Sequence, residues 1–261
     1  MRIARFAADD EVSYGVVDGE TADLSVVELS GHPFGPGTEV KPTGARYSII
    51  DVRLLAPVLP SKVVAIGRNY LSHVREMGNE APAEPLIFLK PSTAVVGPAD
   101  AIVRPGRLSK RVDFEGELAV VFGRLCRDVP RERVKEVIFG YTCANDVTAR
   151  DLQASDGQWS RAKGFDTFCP LGPWIETDLD AANVQLTTKV NDEVKQDSRT
   201  SLLIHDIPAL VSYVTAVMTM LPGDVLLTGT PAGVGPLVAG DSVSVWIEGI
   251  GTLTNRVVDS D

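Results

Sequence analysis

The sequence predicts an α+β fold, and three observations lead there. Short apolar or alternating runs of strand length recur along the whole chain, only two segments carry a convincing amphipathic helical stripe, and no glycine-rich turn joins a strand to a helix. The last point argues against a nucleotide-binding doubly wound sheet. Its nearest candidate, TGTPAGVG at residues 228–235, is followed by PLVAGD and no helix.

RIARF and VSYGVV near the N-terminus read as strands separated by a turn over residues 7–10. Residues 30–44 read as a loop, because Pro33, Gly35, Pro36, Gly37 and Pro42 interrupt any regular element. Pro57 and Pro60 neither donate to a ladder nor sit inside a helix, so they mark a boundary between a small β-rich module (1–58) and a larger domain (59–261).

In the larger domain, residues 63–66 read as a buried strand, 69–77 as a short helix before a loop over 78–85, and 85–90 as another strand. The run VDFEGELAVVFG alternates weakly and then becomes wholly apolar, as expected of a strand passing from a site into a core. Asp128 reads as the N-cap of a helix with Pro130 in its first turn, Val134, Val137 and Ile138 on one face, and an end near Gly140. Val184, Leu186, Thr188 and Val190 alternate before the turn pair Asn191 and Asp192, which folds the strand back through Val194. Asp206 caps a second helix with Ile207, Leu210, Val211, Val214 and Met218 along one stripe, stopped by Pro222 and Gly223. Residues 225–227 and the alternating Val243, Val245 and Ile247 supply late strands, the second turning at Gly249 and Gly251.

Composition narrows the function. Twenty-five Lys and Arg against 35 Asp and Glu give a net charge of -10, which repels a phosphate backbone, so nucleic acid is not an expected partner. The N-terminal residues lack the apolar run of a signal peptide and no stretch has the length of a membrane span, so the expected location is cytoplasmic. Cys126, Cys143 and Cys169 form no C-x-x-C pair and read as buried thiols of a reducing compartment. His32, His73 and His205 are scattered, so any metal must rely on carboxylates.

Glu115 and Glu117 stand two apart, so on a strand both carboxylates project from one face with only Gly116 between them. Like charges that close repel, and a hard divalent cation is the simplest neutraliser; from the pair alone, a solvated strand face is the more ordinary explanation. Asp146 shifts the balance. It follows the apolar run IFGYTCA, and a carboxylate emerging from a core strand is costly unless paired or bound to metal, although a turn or cap role is open to it. Three carboxylates without a cysteine or histidine cluster suit Mg²⁺ or Mn²⁺, with remaining positions open to water and a chelating substrate.

Six motifs, AIGRNYLSHVREMG, PLIFLKPSTAVVGP, VDFEGELAVVFG, GYTCANDVTARDLQ, RAKGFDTFCPLGPW and LLTGTPAGVG, run in order from residue 65 to residue 235. In this order the chain resembles the fumarylacetoacetate hydrolase family. The resemblance implies a mixed β-sandwich roll with a smaller N-terminal domain, usually a homodimer, and Mg²⁺ or Mn²⁺ bound by Glu115, Glu117 and Asp146. Lys163 falls where the family places a lysine beside the metal, able to stabilise an enolate oxyanion, whereas its residue type alone suggests a surface lysine next to Arg161. Asp166 either orients Lys163 or caps the following turn.

His73 and Glu76, three apart, share one face of a helix and can hydrogen-bond, which fixes the imidazole tautomer and raises its basicity, giving a base able to activate water near neutral pH. A lone histidine is more often structural, but hydrolase and decarboxylase members of the family carry a similar pair on a lid that closes over substrate, and MGNEAPAEP suits such a lid. Arg68 is a candidate for the substrate carboxylate, with a structural salt bridge as the alternative. Gly229 and Thr230, in a loop whose amides could receive an anion, are substrate-contact candidates by the same resemblance, with a plain turn as the alternative.

The expected activity is metal-dependent C–C bond hydrolysis or decarboxylation of a small 2-oxo or enol carboxylic acid, such as an acylpyruvate, fumarylpyruvate or oxaloacetate. The pair His73 and Glu76 favours that over the alternative, an isomerase of the 2-hydroxyhepta-2,4-diene-1,7-dioate type. A non-catalytic binding module is the reading of another class, and the retention of Glu115, Glu117, Asp146, Lys163 and the pair His73 and Glu76 argues against it.

Overall fold

The computed structural model describes residues 1–9, 11–20, 23–34 and 39–260. The chain begins with strands β1 (Arg2–Ala8), β2 (Glu11–Asp18), β3 (Ser25–Ser30), β4 (Lys41–Ser48) and β5 (Arg53–Leu55). It continues through β6 (Val63–Gly67), α1 (Leu71–Glu76), β7 (Leu86–Lys90), β8 (Val95–Val96), β9 (Ala101–Arg104), β10 (Val112–Phe114), β11 (Gly116–Phe122), β12 (Ile138–Asn145) and β13 (Thr148–Ala149). The last part holds α2 (Arg150–Asp156), α3 (Ser160–Lys163), β14 (Cys169–Glu176), β15 (Gln185–Val190), β16 (Glu193–Arg199), α4 (Ile207–Val217), β17 (Val225–Leu227), β18 (Gly235–Pro236), β19 (Ser242–Ile247) and β20 (Gly251–Asp259).

The large sheet runs in the order β4-β3-β2-β1-β14-β12-β11-β17-β6-β7, and a second sheet runs β16-β15-β19-β20-β9. Pairing is mostly antiparallel, but β17 lies parallel to β6 and β20 parallel to β9, which makes both sheets mixed. This is the α+β architecture the strand-rich pattern predicts. The N-terminal strands extend the large sheet, because β1 sets Arg2 opposite Glu176 and Ile3 opposite Ile175 of β14.

Two layers of core follow from the period of two along β11. Leu118, Val120 and Phe122 pack with Leu186, Val245 and Ile247 of the second sheet and with Leu210, Val211 and Val214 of α4. Ala119 and Val121 face the other way, onto Val63, Ala65, Val225 and Leu227. All three cysteines are free and buried, as their scatter suggests. Among the described residues no helix is long and apolar enough to cross a membrane.

The hairpin of β15 and β16 forms as its sequence requires, with Asn191 and Asp192 both at positive φ. The cap of α4 also forms, Asp206 accepting the amide of Ala209 at 2.8 Å, but the helix ends at Val217, well before Pro222. Two expectations fail. Instead of a helix capped by Asp128, a 3-10 turn over Arg131–Glu136 begins after Pro130, Asp128 stands at positive φ, and Ile138 already belongs to β12. Ile138 pairs opposite Phe122 in the sheet, so the expected stripe loses its last member and the remaining residues close as a 3-10 turn. Part of the loop expected over 30–44 is strand: Pro42 and Gly44 lie in β4, which sits at the edge of the sheet, where a proline costs no ladder bond. Gly35, Pro36 and Gly37 of that expected loop, and Asp10 of the first turn, lie outside the described residues.

Candidate metal centre and catalytic pocket

The face of β11 that carries Ala119 and Val121 continues at its start into Glu117, and Glu115 precedes it in the break after β10. The backbone is fixed here by the amide of Glu115 donating to Asn145 Oδ1 at 3.0 Å and that of Asp146 donating to the carbonyl of Glu115 at 2.8 Å. Gly116 faces the second sheet, and a Cβ there would stand 2.0 Å from Thr188 Oγ1. The residue between the two glutamates is therefore small because a second sheet passes behind it. Gln196 of that sheet accepts the amide of Gly116 at 2.9 Å and donates to Thr230 Oγ1 and the carbonyl of Pro231.

Glu115, Glu117 and Asp146 are all buried, and one oxygen from each lies within 4.8 Å of the others. Lys163 Nζ, buried at the end of α3, donates to Glu115 Oε2 at 2.8 Å and to Asp146 Oδ2 at 2.6 Å. Arg150 adds a 2.6 Å contact to Glu115 Oε1 while also holding Asp113. Burial by itself raises a carboxyl, but Lys163 and Arg150, with His73 nearby, outweigh it at Glu115 and hold that group below its usual range. Glu117 goes the other way. Burial and the charges of Asp146 and Glu115 push it well above its usual range, and Lys163 and the Gly229 amide only partly offset them.

Burial disfavours the ammonium of Lys163, yet Asp146 and Glu115 more than compensate and raise it. The remaining imbalance sits at Glu117, whose carboxylate has the Gly229 amide at 2.6 Å and, among the described residues, no cationic side chain bonded to it. An all-oxygen, buried, convergent set with one carboxylate short of positive charge fits a hard divalent cation. Glu115, Glu117 and Asp146 would hold Mg²⁺ or Mn²⁺.

These three carboxylates, with Lys163, His73, Arg68 and Thr230, line one cavity of about 280 Å³. Residues far apart along the chain thus line the same cavity. A larger cleft, about 750 Å³, opens beside α4 and β12, but the convergent carboxylates line the smaller cavity.

His73 is buried on α1 and hydrogen-bonds through Nδ1 to Glu76 Oε2 at 3.2 Å. A carboxylate can only accept, so Nδ1–H is the donor of this pair. Glu76 Oε1 accepts the amide of Gly233 at 2.9 Å, tying α1 to the loop that follows β17. Arg68, at positive φ, stands over the Trp159 ring at 6.0 Å, and no salt bridge of Arg68 occurs among the described residues. That leaves its guanidinium available to an anion.

Two expected contacts are placed differently. Gly229, at a φ of 105°, turns its amide onto Glu117 Oε2, so the anion it receives is an internal carboxylate and its N–H is not left for substrate. Asp166 is exposed in the turn after α3, the place of its second reading, and Lys163 donates to Glu115 and Asp146. Sequence reasoning passed over Lys90, Arg150, Gln196 and Trp159. Lys90 and Arg150 stand inside quoted motifs, and a charged residue at the end of an apolar strand run was the available signal.

A family model described as fumarylacetoacetate (FAA) hydrolase C-terminal matches residues 62–258, and one described as Rv2993c-like, N-terminal matches residues 1–57. Protein Rv2993c of Mycobacterium tuberculosis is 56% identical over 264 residues, covering 99% of this chain and 98% of that protein. The mitochondrial oxaloacetate tautomerase Fahd2a of Rattus norvegicus is 42% identical over 220 residues, covering 80% of this chain and 70% of that protein. The crystal structure of a 5-carboxymethyl-2-hydroxymuconate delta-isomerase from Mycobacterium smegmatis superposes with a TM-score of 0.92 at 55% identity over 100% of both chains. A maleylpyruvate hydrolase from Sphingobium sp. SYK-6, solved with manganese (II) ion and pyruvate, superposes with a TM-score of 0.82 at 33% identity, again over 100% of both.

Proposed function

The chain belongs to the fumarylacetoacetate hydrolase family, and on that premise we propose that it is a divalent-metal-dependent enzyme that interconverts keto and enol forms of a small 2-oxo dicarboxylic acid. The observation that carries this reading is the meeting of His73, Lys163 and the three carboxylates around one cavity of about 280 Å³. When bound, the cation supplies a Lewis-acid contact for the 2-oxo group.

The chain's own residues do the rest. His73, held by Glu76 and lining the pocket, takes the proton from the carbon next to the carbonyl and returns it there in the reverse direction, while the enol oxygen exchanges its proton with solvent. Lys163 donates to the oxygen on which charge develops, from a position already fixed by two carboxylates. Arg68, without a carboxylate partner, pairs with the remote carboxylate, which is why a dicarboxylic acid is favoured over a simple acyl chain. The names of the tautomerase and isomerase relatives, at 42% and 55% identity, support proton transfer as the reaction.

Hydrolysis of a C–C bond is the second reading, supported by the fold match to the manganese- and pyruvate-bound hydrolase. The same His73 would then activate water. The deciding experiment follows enol absorbance of oxaloacetate and pyruvate release from acylpyruvates in parallel, with Mg²⁺ or Mn²⁺ and after chelation. Metal-dependent loss of enol without pyruvate release supports tautomerisation. Turnover in neither assay would sink both readings.

A further inference from the structure

β7 inverts the expected order of burial. Along LIFLK, Leu86 and Leu89 are 37% and 47% exposed while Lys90 is 1% exposed, so the buried residue of this edge strand is its lysine. An ammonium has three donors, and all three are used: Asp146 Oδ1 at 2.6 Å, the carbonyl of Lys163 at 2.6 Å and the carbonyl of Val147 at 3.3 Å. Taking a lysine out of water is costly, and a buried ion pair is weak ground for stability because an apolar side chain of the same size often serves as well. A buried cation that is this completely satisfied and that touches a metal-ligand carboxylate calls for another explanation.

The partition of Asp146 supplies it. Its two oxygens are divided between two ammonium groups, Oδ1 to Lys90 and Oδ2 to Lys163. Lys163 also belongs to Glu115, so it is shared, whereas among the described residues Lys90 has no second carboxylate. We propose that Lys90 is a positioning residue: it occupies Asp146 Oδ1, so that Asp146 presents the single oxygen Oδ2 to the cation, and it pins the carbonyl of Lys163 so that the same helix end keeps Nζ at the site. Lys90 lies behind the carboxylate and does not line the cavity, so it acts through Asp146 and Lys163 rather than on substrate.

This proposal rests on the reading of the site as a metal centre, and the experiment separates the two. Mn²⁺ is titrated into the metal-free full chain without substrate, and free ion is read by electron paramagnetic resonance for wild type, Lys90→Met, Asp146→Asn and the double variant. Wild type binding no Mn²⁺ would overturn the metal centre and the proposal together. With wild-type binding established, Lys90→Met should bind about 10- to 100-fold more weakly, the usual effect of losing an outer partner of a ligand. The bound-ion spectrum should also change, because a freed Asp146 can chelate through both oxygens. In the Asp146→Asn background the Lys90 substitution should cost no further affinity. Equal affinity of Lys90→Met and wild type, or an additive loss in the double variant, would overturn the positioning role. Thermal melting of each metal-free chain reports whether it is folded; if Lys90→Met is not, Lys90→Gln, with a polar end of similar reach, carries the same comparison.

Discussion

The two ends of the large sheet handle charge in opposite ways. At the β4 end, Arg46 and Asp18 pair at 3.1 Å with side chains 55% and 60% exposed. At the β11, β17, β6 and β7 end, Lys90 and Asp146 pair at 2.6 Å with side chains 0% and 1% exposed. Water already stabilises the first pair, so its loss leaves both groups solvated. The second pair has no such reserve, and each partner removed strands the other. The same kind of contact is surface ornament at one end of the sheet and a condition of the site at the other.

The largest effect expected is from the carboxylates themselves. Chelation, Glu117→Gln or Asp146→Asn should abolish turnover while the far-UV spectrum stays unchanged, since the apolar layers on both faces of β11 do not depend on the ion. Full activity in metal-free protein would break the contrast between the two ends. His73→Ala should come next, losing about 10² to 10⁴ in the rate of keto–enol exchange with Mn²⁺ binding retained. Exchange that persists while pyruvate release disappears would instead assign His73 to water activation. Glu76→Gln should follow the same pattern with a smaller loss, because its single amide oxygen can accept from His73 Nδ1 or from the Gly233 amide but not from both.

Gly116→Ala tests the close approach of the second sheet. The added methyl meets Thr188 Oγ1 at 2.0 Å, and overpacking of this kind costs about 1 to 3 kcal/mol. A melting temperature equal to wild type would show that the sheets can part without cost. A smaller effect is expected from alkylation of the native chain at pH 8, because burial pushes the Cys169 thiol up to about 12 and raises that of Cys143 as well. Neither should label until the chain unfolds, and rapid labelling of either would show that this part of the core opens. The smallest effect belongs to the exposed end, where Arg46→Ala should leave melting indistinguishable from wild type; a clear loss would mean that surface pairing on β4 does more than solvation predicts.

How far the sequence could be read differs by residue, for physical reasons. The strands, the Asn191 and Asp192 turn, the Asp206 cap and the apolar faces were legible because they depend on neighbours within a few positions. Glu115 and Glu117 were legible as a pair for the same reason, and the motif order tied Asp146 and Lys163 to them. The helix expected after Asp128 was not, since a short stripe does not reveal that β12 will claim Ile138. Lys90 was read only as the end of a strand, because its three acceptors come from residues 56 to 73 positions away.

The amino-acid sequence by itself determined the α+β class and singled out Glu115, Glu117 and Asp146, which the fold brings together as one buried cluster of oxygen donors. Only the tertiary structure decided which oxygen meets which cation, that the Gly229 amide serves Glu117, that Gly116 is small because Thr188 lies behind it, and that the lysine of LIFLK turns inward while its leucines face out. Local propensity acts over a few residues. The energy of a buried charge depends on every group within a few ångströms, and those groups are brought together from across the chain by the packing of sheets.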